Sequence, residues 1–293
     1  MLLFRVLASV LLAQATHALT PVTQNARGQK IYTAPIGSRV KQSGRDMELF
    51  APDGSLLHTF TNVVSGGTKP KRQILSVTEL VAQFNVTPTD TIESFTTTFV
   101  VPPTPEAFDS QIIFISANIR VLDPPTGRPY ATVRPTLQYG GSWLQGGPFY
   151  TYAMQVEFDA QNILQLVGFD NSTLEVGQTL DSTIVRNHEL EKEAPGVFWY
   201  SASFPSISND TVIDMGWQTP PSVLTLQLEE EGVLQPSHYP AGSLVFEHIN
   251  VNMTSGPPEM SWQPNVDPAS QAEFKVDVDG AKEGKAELTF SRV

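Results

Sequence analysis

Residues 132–157 restrict the possible folds more than any other part of this chain. Polar and apolar residues alternate in two stretches, 132–139 and 151–158, and a loop rich in glycine separates them. A period of two is the period of a strand with one buried face. Pro135 cannot donate to a sheet partner, so we expect the first strand to be bulged or locally unpaired there. The segment therefore predicts two neighbouring strands that share an apolar face and a polar face.

Strand patterns continue along most of the chain. From residue 74 to residue 252, short segments rich in β-branched and aromatic residues follow one another, and only residues 188–193 have a helical pattern. The Asp53-Gly54 pair within residues 48–60 is typical of a hairpin turn, and residues 274–278 and 286–290 predict a second hairpin. These patterns predict an all-β fold, a β-sandwich or jelly roll of two antiparallel sheets with a C-terminal hairpin.

The chain divides into four predicted segments. Residues 1–18 have one early charge, Arg5, then an apolar run and small residues at Ala15 and Ala18, which is typical of a secretory signal peptide. Residues 19–45 are polar without a sustained period, so we expect a loose N-terminal segment. Residues 46–255 form the sandwich in this interpretation, and residues 256–293 form a C-terminal extension that contains the hairpin.

Several features are typical of a glycoprotein of the secretory pathway. N-x-S/T sequons occur at Asn85, Asn171, Asn209 and Asn252. Cysteine is absent, so no disulfide supports the fold, and thiol catalysis and cysteine metal sites are excluded. The pair Lys71-Arg72 is open to two interpretations, a processing site or an ordinary solvated loop. We expect a protein that is secreted or resides in the lumen of the secretory pathway.

The charge and the motifs limit the partners. The net charge is −12, from 18 basic and 30 acidic residues, so nucleic acid would be repelled over most of the surface. The five histidines match no metal-ligand spacing, and we expect neither a metal nor a cofactor. No apolar segment after the signal is long enough to span a membrane. We therefore expect no nucleic-acid partner; the small-molecule ligand that we expect instead follows from the polar residues described next.

The polar positions of the central strands would line one face of one sheet if those strands are neighbours. The set contains Asn118, Arg120, Arg134, Thr136, Gln138, Gln155, Glu157, Trp199, Ser201, Ser203, Thr225, Gln227 and Glu229. Its two arginines either pair with Glu157 or Glu229 across strands or donate hydrogen bonds to a ligand. Gln138 either satisfies neighbouring backbone or takes part in function. Trp143, in the glycine-rich loop, is either a loop anchor or a lid over this face.

Four segments carry a family resemblance. They are TTFVVP at 97–102, PTLQYG at 135–140, YTYAMQVEFD at 150–159 and VGQTLDSTIV at 176–185, within a similarity of strand order that covers roughly residues 95–251. Together they resemble the secreted fungal glutamic peptidases, the eqolisins. The resemblance implies a concanavalin-like sandwich with its site on the concave sheet, and it places the family's catalytic glutamine at Gln138.

The sequence departs from that family at the acidic positions. The catalytic glutamate would fall near Thr225, and the supporting carboxylates would fall near Asn118 and Gln155, which are amides here. A glutamic peptidase needs a carboxyl group that activates water and delivers a proton, and an amide cannot titrate to do either. An acid glutamic endopeptidase therefore remains an alternative only if Glu229 takes that role beside Gln138.

The remaining polar face suits an uncharged organic ligand. The secreted character, the missing metal motifs and the disabled acid site look similar to the hetero-Diels-Alderases of fungal tropolone-sesquiterpenoid pathways. That resemblance implies cofactor-free cyclisation of a small, mostly apolar molecule in secondary metabolism. The residues that would donate the catalytic hydrogen bonds are Gln138, Arg134 and Gln155, and those that would hold the rings are Trp143 and Trp199. The other predicted binding residues, which complete a neutral pocket, are Asn118, Arg120, Thr136, Thr225, Gln227 and Glu229. A third interpretation is a carbohydrate-binding, lectin-like module whose tryptophans stack on sugars.

Overall fold

The structure is a computed structural model that describes residues 19–25, 28–64, 75–142, 145–158, 162–167, 173–208 and 212–290. The strands in these ranges are, in chain order, β1 (Thr23–Gln24), β2 (Lys30–Pro35), β3 (Arg39–Ser43), β4 (Asp46–Phe50), β5 (Leu56–Phe60), β6 (Leu75–Gln83), β7 (Ile92–Val100), β8 (Ile112–Asp123), β9 (Arg128–Gly141), β10 (Gly146–Phe158), β11 (Asn162–Val167), β12 (Thr179–Arg186), β13 (Phe198–Ser203), β14 (Val212–Trp217), β15 (Val223–Glu231), β16 (Ser243–Met253), β17 (Gln263–Asn265), β18 (Ala272–Val278) and β19 (Gly284–Phe290). A short helix, α1 (His188–Glu193), and a 3₁₀ turn, Pro236–His238, accompany them. The all-β prediction is confirmed.

The strands form two sheets. The first sheet has nine strands in the order β1-β2-β11-β10-β9-β8-β15-β6-β17, and the second has ten in the order β18-β19-β16-β7-β12-β13-β14-β3-β4-β5. Most neighbours are antiparallel, but β2 runs parallel to β11 and β3 runs parallel to β14. Side chains of both sheets meet in one hydrophobic core, where Leu137, Met154 and Tyr200 are fully buried. The fold is a β-sandwich, as the sequence predicts.

The hairpin of β9 and β10 lies in the middle of the first sheet. Its cross-strand pairs run from Tyr150–Tyr139 to Phe158–Ala131, so the predicted pairing of these two strands is confirmed. On the other side, the ladder between β8 and β9 is interrupted between the Ser116–Thr136 and Ile119–Val133 pairs, where Pro135 supplies no donor. At the end of β9, a Cβ on Gly140 would lie 2.5 Å from the carbonyl oxygen of Gln111, which explains the glycine there.

Both chain ends belong to the sandwich, which corrects two parts of the predicted segmentation. Residues 19–45 are not loose, because β2 joins the first sheet and β3 joins the second. In the C-terminal extension, β17 pairs with β6 of the first sheet, while the β18–β19 hairpin pairs with β16 of the second. The strands β2, β3 and β17 are short, so their sequences carry little periodic signal.

Some predicted features lie outside the described residues. They are the signal segment 1–18, the pair Lys71-Arg72, Trp143, and the sequon residues Asn171 and Asn209. The other two sequon asparagines, Asn85 and Asn252, are exposed, as glycan attachment requires. None of the described helices has the length and hydropathy needed to cross a membrane.

Candidate functional site

The side of the first sheet that faces away from the core gathers most of the predicted site residues. We call this side the polar face; its residues include Asn118, Arg120, Arg134, Thr136, Gln138, Gln155, Glu157, Thr225, Gln227 and Glu229. Cross-strand pairing sets their positions, since directly opposed residues share a face. Thr225 opposes Asn118, and Gln155 opposes Arg134. Four strands, β10, β9, β8 and β15, therefore bring these side chains together.

The predicted place of Trp199 on this face is wrong. Trp199 belongs to β13, which lies in the second sheet. Its neighbour Tyr200 packs in the core, so Trp199 points to the outer side of that sheet, together with Ser201 and Ser203. The indole packs over Gly216 of β14, where a Cβ would lie 2.8 Å from ring carbons. Trp199 therefore cannot hold a ligand on the polar face.

The charged residues of the polar face are paired across strands. Arg134 lies 3.1 Å from a carboxylate oxygen of Glu229 and 3.7 Å from one of Glu157. Arg120 donates to Glu79 of β6 at 2.6 Å and to the side-chain oxygen of Gln227 at 3.1 Å. The interpretation in which the arginines pair with acidic residues is confirmed for Arg134, whereas Arg120 has a partner that the sequence did not indicate.

The expectation of a neutral, aromatic pocket is wrong. Two guanidinium groups and three carboxylates, those of Glu79, Glu157 and Glu229, meet on the polar face, which leaves one net negative charge. The acidic run 229–231 is buried, with each glutamate at most 5% exposed. The ring of Phe114 lies on this face, with its centroid 5.9 Å from the Arg134 guanidinium.

A cavity of about 250 Å³ opens on part of the polar face. Its lining comprises Val77, Glu79, Arg120, Pro129, Tyr130, Ala131, Thr132, Glu157, Gln227 and Glu229. Burial raises the pKa of Tyr130 to about 12, so its hydroxyl stays neutral and donates to the side-chain oxygen of Gln42 at 3.0 Å. Of the predicted binding residues, Arg120, Gln227 and Glu229 line the cavity. Its lining is mainly polar, although a mostly apolar ligand was expected.

The three predicted catalytic residues lie beside the cavity and not in its lining. Gln138, Arg134 and Gln155 are at most 2% exposed. Arg134 is ion-paired with Glu229 and Glu157, and these two glutamates do line the cavity. Among the other predicted binding residues, Asn118, Thr136 and Thr225 are fully buried. The Thr225 hydroxyl donates to Asn118, whose amide nitrogen donates to Gln227 at 2.8 Å, so Asn118 and Thr225 support Gln227 from below.

The two residues required by the peptidase alternative are not in contact. Phe114 opposes both Gln138 and Glu229, so their strands are two strand spacings apart, about 10 Å. The amide nitrogen of Gln138 donates to the backbone oxygen of Gly141 at 2.6 Å, which confirms the interpretation that it satisfies neighbouring backbone. Glu229 is ion-paired with Arg134. Gln138 and Glu229 therefore do not form a catalytic dyad in this structure.

Two residues from the N-terminal and C-terminal parts of the chain hold carboxylates of the cavity, and no sequence pattern indicates either of them. Gln29 donates to Glu157 at 2.7 Å, and Asn25 in turn donates to the side-chain oxygen of Gln29 at 2.7 Å. Asn265 of β17 donates to Glu79 at 3.2 Å. Both lie in segments without sustained alternation. Glu79 shares its face of β6 with Val77 and Val81, so alternation does not mark it as part of a polar face either.

No cluster of three or more histidine, cysteine or acidic side chains in the described ranges is arranged to hold a metal ion.

The architecture defines a class: an all-β sandwich with an ion-paired polar site on the outer side of one sheet. No protein-family model matches the sequence, and no curated protein matches it significantly. Among solved structures, the chain is similar to SCP-B, described as a member of the eqolisin family of peptidases in a complex with the tripeptide Ala-Ile-His. The TM-score is 0.44 at 8% identity, over 74% of this chain and 99% of that chain. A likeness this distant carries no information on activity.

Proposed function

We propose that this protein is a secreted, cofactor-free binder of a small organic molecule, and that it promotes cyclisation of that molecule by a hetero-Diels-Alder reaction. The observation that carries the proposal is the cavity of about 250 Å³ on the polar face. Arg120 lines this cavity and donates hydrogen bonds to Glu79 and Gln227. Sites for small molecules are concave and contain a few well-placed polar groups. The polar lining favours a ligand with carbonyl or hydroxyl oxygens.

Arg120 is the group best suited to act on a ligand carbonyl. Its hydrogen bonds to Glu79 and Gln227 both come from one terminal nitrogen, whereas a guanidinium has five N–H donors. Its side chain is 15% exposed and lines the cavity. Glu79 and Gln227 fix the orientation of the guanidinium, and preorganised donors are the effective ones in catalysis.

The reaction needs no group that leaves and no proton that moves. A heterodiene, C=C–C=O, and an alkene lose three π bonds and gain one C–C bond, one C–O bond and one new π bond. A hydrogen bond to the carbonyl oxygen withdraws electron density from the heterodiene, which lowers the barrier to attack by the alkene. The cavity would add orientation, since holding two partners in register replaces a bimolecular encounter.

The test is the cyclisation of a quinone methide with a polyene. Purified protein should change the ratio and stereochemistry of the cycloadducts. Arg120→Met should lower the rate enhancement by about 100-fold, the lower end of what the loss of one preorganised donor costs. Arg128→Met is the matched control, because Arg128 is exposed and lies outside the cavity lining; it should leave the rate unchanged.

Three results would contradict the proposal. The first is an unchanged cycloadduct ratio with the wild-type protein. The second is digestion of a denatured protein at acid pH that Glu229→Gln abolishes, which would establish the peptidase alternative. The third is glycan binding without turnover, which would establish the lectin-like one.

A further inference from the structure

A row of buried amide groups borders the cavity. Across β11, β10 and β9, Gln165 opposes Gln155 and Gln155 opposes Arg134. Gln155 is fully buried, and neither its amide nitrogen nor its amide oxygen has a hydrogen-bond partner. The amide oxygen of Gln165 and the Nε of Arg134 also have none. Four unpartnered polar atoms thus lie in one row of the described polar face.

Such a row is unusual because buried polar atoms are nearly always hydrogen-bonded. A side chain of similar shape without polar atoms would avoid the desolvation cost. Gln155 contributes most to this desolvation cost, because both its amide nitrogen and its amide oxygen lack a hydrogen-bond partner. On the same face, the amide oxygen of Gln138 also lacks a partner, while its nitrogen is bound to the Gly141 carbonyl. The row therefore points to a polar group that pairs with Gln155.

The row is continuous with the cavity. Glu157 lies two residues after Gln155 on the same face of β10, and it lines the cavity. Arg134, the opposite neighbour of Gln155, is ion-paired with Glu157 and Glu229, which both line the cavity. Gln155 itself is fully buried and does not line the cavity, so a ligand group would reach it only by displacing Glu157.

We propose that Gln155 forms a second subsite, which binds a neutral group that presents a hydrogen-bond donor and acceptor side by side. A primary amide presents one N–H edge and one oxygen edge in a plane, and this edge pairs bidentately with a complementary edge, as glutamine does with adenine. A cis-amide, a neutral carboxylic acid or a 2-pyridone has that edge. An ionised carboxylate does not complete the pair, because it offers no donor to the amide oxygen of Gln155. The inference rests on the proposed function, since the group would be part of the same ligand.

Two probes test the subsite directly. 2-Pyridone has the paired donor and acceptor, while N-methyl-2-pyridone lacks the donor. Calorimetric titration of the wild-type protein should show at least about tenfold tighter binding of 2-pyridone, the discrimination that one bidentate pair supplies. In ¹⁵N-labelled protein, 2-pyridone should shift the side-chain amide signal of Gln155. Gln155→Met keeps the length of the side chain and removes the edge, so it should abolish the preference without lowering the melting temperature.

Gln138→Met is the matched control. Gln138 is a buried glutamine of the same face whose nitrogen is bound to the Gly141 carbonyl, so this variant should lose stability and retain the preference for 2-pyridone. Equal affinity of the wild-type protein for the two probes would overturn the subsite, as would a preference that survives in Gln155→Met. Neither result would decide the proposed function, which depends on the cycloadduct experiment with Arg120→Met.

Discussion

Arg134 is 2% exposed, and its guanidinium lies between carboxylates of Glu229 and Glu157. An ion pair buried this deeply adds little net stability, because each charge gives up its hydration. Removing one partner is costly, by about 3–5 kcal/mol, since it leaves the other charge buried alone. The network therefore fixes the geometry of the cavity wall more than it stabilises the fold.

Alternation predicts which residues share this face, but the pairing of Arg120 with Glu79 depends on register between distant strands.

Glu230 lies next to this network in sequence but has a different environment. It is 3% exposed, and its carboxyl accepts hydrogen bonds from the hydroxyls of Tyr239 and Ser270 at 2.8 and 3.0 Å. Burial raises the pKa of Glu230 from 4.5 to about 7, and the nearby Asp267 adds to the shift. The folded chain therefore keeps a proton on Glu230 at pH values where the unfolded chain has lost it.

We expect Glu230 to make the protein more stable in acid. Its contribution is fully present below about pH 4.5 and is lost as the pH rises toward about 7, where the folded carboxyl also ionises. The loss is roughly 3 kcal/mol. Urea unfolding between about pH 4 and pH 8 measures it, and Glu230→Gln should flatten the slope in that range. Glu273→Gln, at an exposed position of β18, should leave it unchanged. An unaltered slope in Glu230→Gln would contradict this account.

At the scale of elements, the C-terminal strands complete both sheets. β17 covers the edge of β6, and the β18–β19 hairpin covers the edge of β16. Trp262, Phe274 and Leu288 bring side chains from this region into the core. A chain that ends at Gly256 would therefore expose two strand edges and part of the core, and open edges of this kind promote aggregation.

We expect a chain that ends at Gly256 to be insoluble or to lack a cooperative unfolding transition. The lost core burial, roughly 1.5–3 kcal/mol for each large apolar side chain, is comparable to the whole stability of a typical domain. Gel filtration and thermal unfolding followed by circular dichroism provide the measurement. A soluble monomer with the melting temperature of the full chain would show that residues 257–293 are a separate unit after all.

Two hairpins have clear turn or alternation signals and could be predicted from the sequence. The Asp53-Gly54 turn joins β4 to β5, and the terminal hairpin pairs β18 with β19. The short strands β2, β3 and β17 could not, since three to six residues hold too few periods to stand out. For the same reason, the sequence did not predict the hydrogen bonds that Gln29 donates to Glu157 and Asn265 donates to Glu79.

At the scale of the whole molecule, alternation predicts the sandwich but not the distribution of strands between its sheets. β13 and β15 both alternate, yet β13 pairs with β12 and β14 in the second sheet while β15 pairs with β8 and β6 in the first. The period of a strand is a local property, whereas its sheet is set by long-range pairing. Because alternation does not identify the sheet, Trp199 was predicted on the polar face although β13 lies in the second sheet. The aromatic pocket was predicted from that wrong position.

The net charge of −12 acts on the molecule as a whole. Repulsion among the acidic side chains destabilises the compact state at neutral pH, and salt screens exposed charges, with a screening length of about 30 Å at 0.01 M and about 10 Å at 0.1 M. We expect a rise from about 0.01 to about 0.5 M NaCl at pH 8 to raise the melting temperature by a few degrees, equivalent to about 1 kcal/mol. Near pH 5, where acidic groups begin to protonate, the same addition should change it little. Scanning calorimetry at both pH values is the measurement. A fall at pH 8 would mean that exposed pairs such as Lys285–Glu247 outweigh the repulsion.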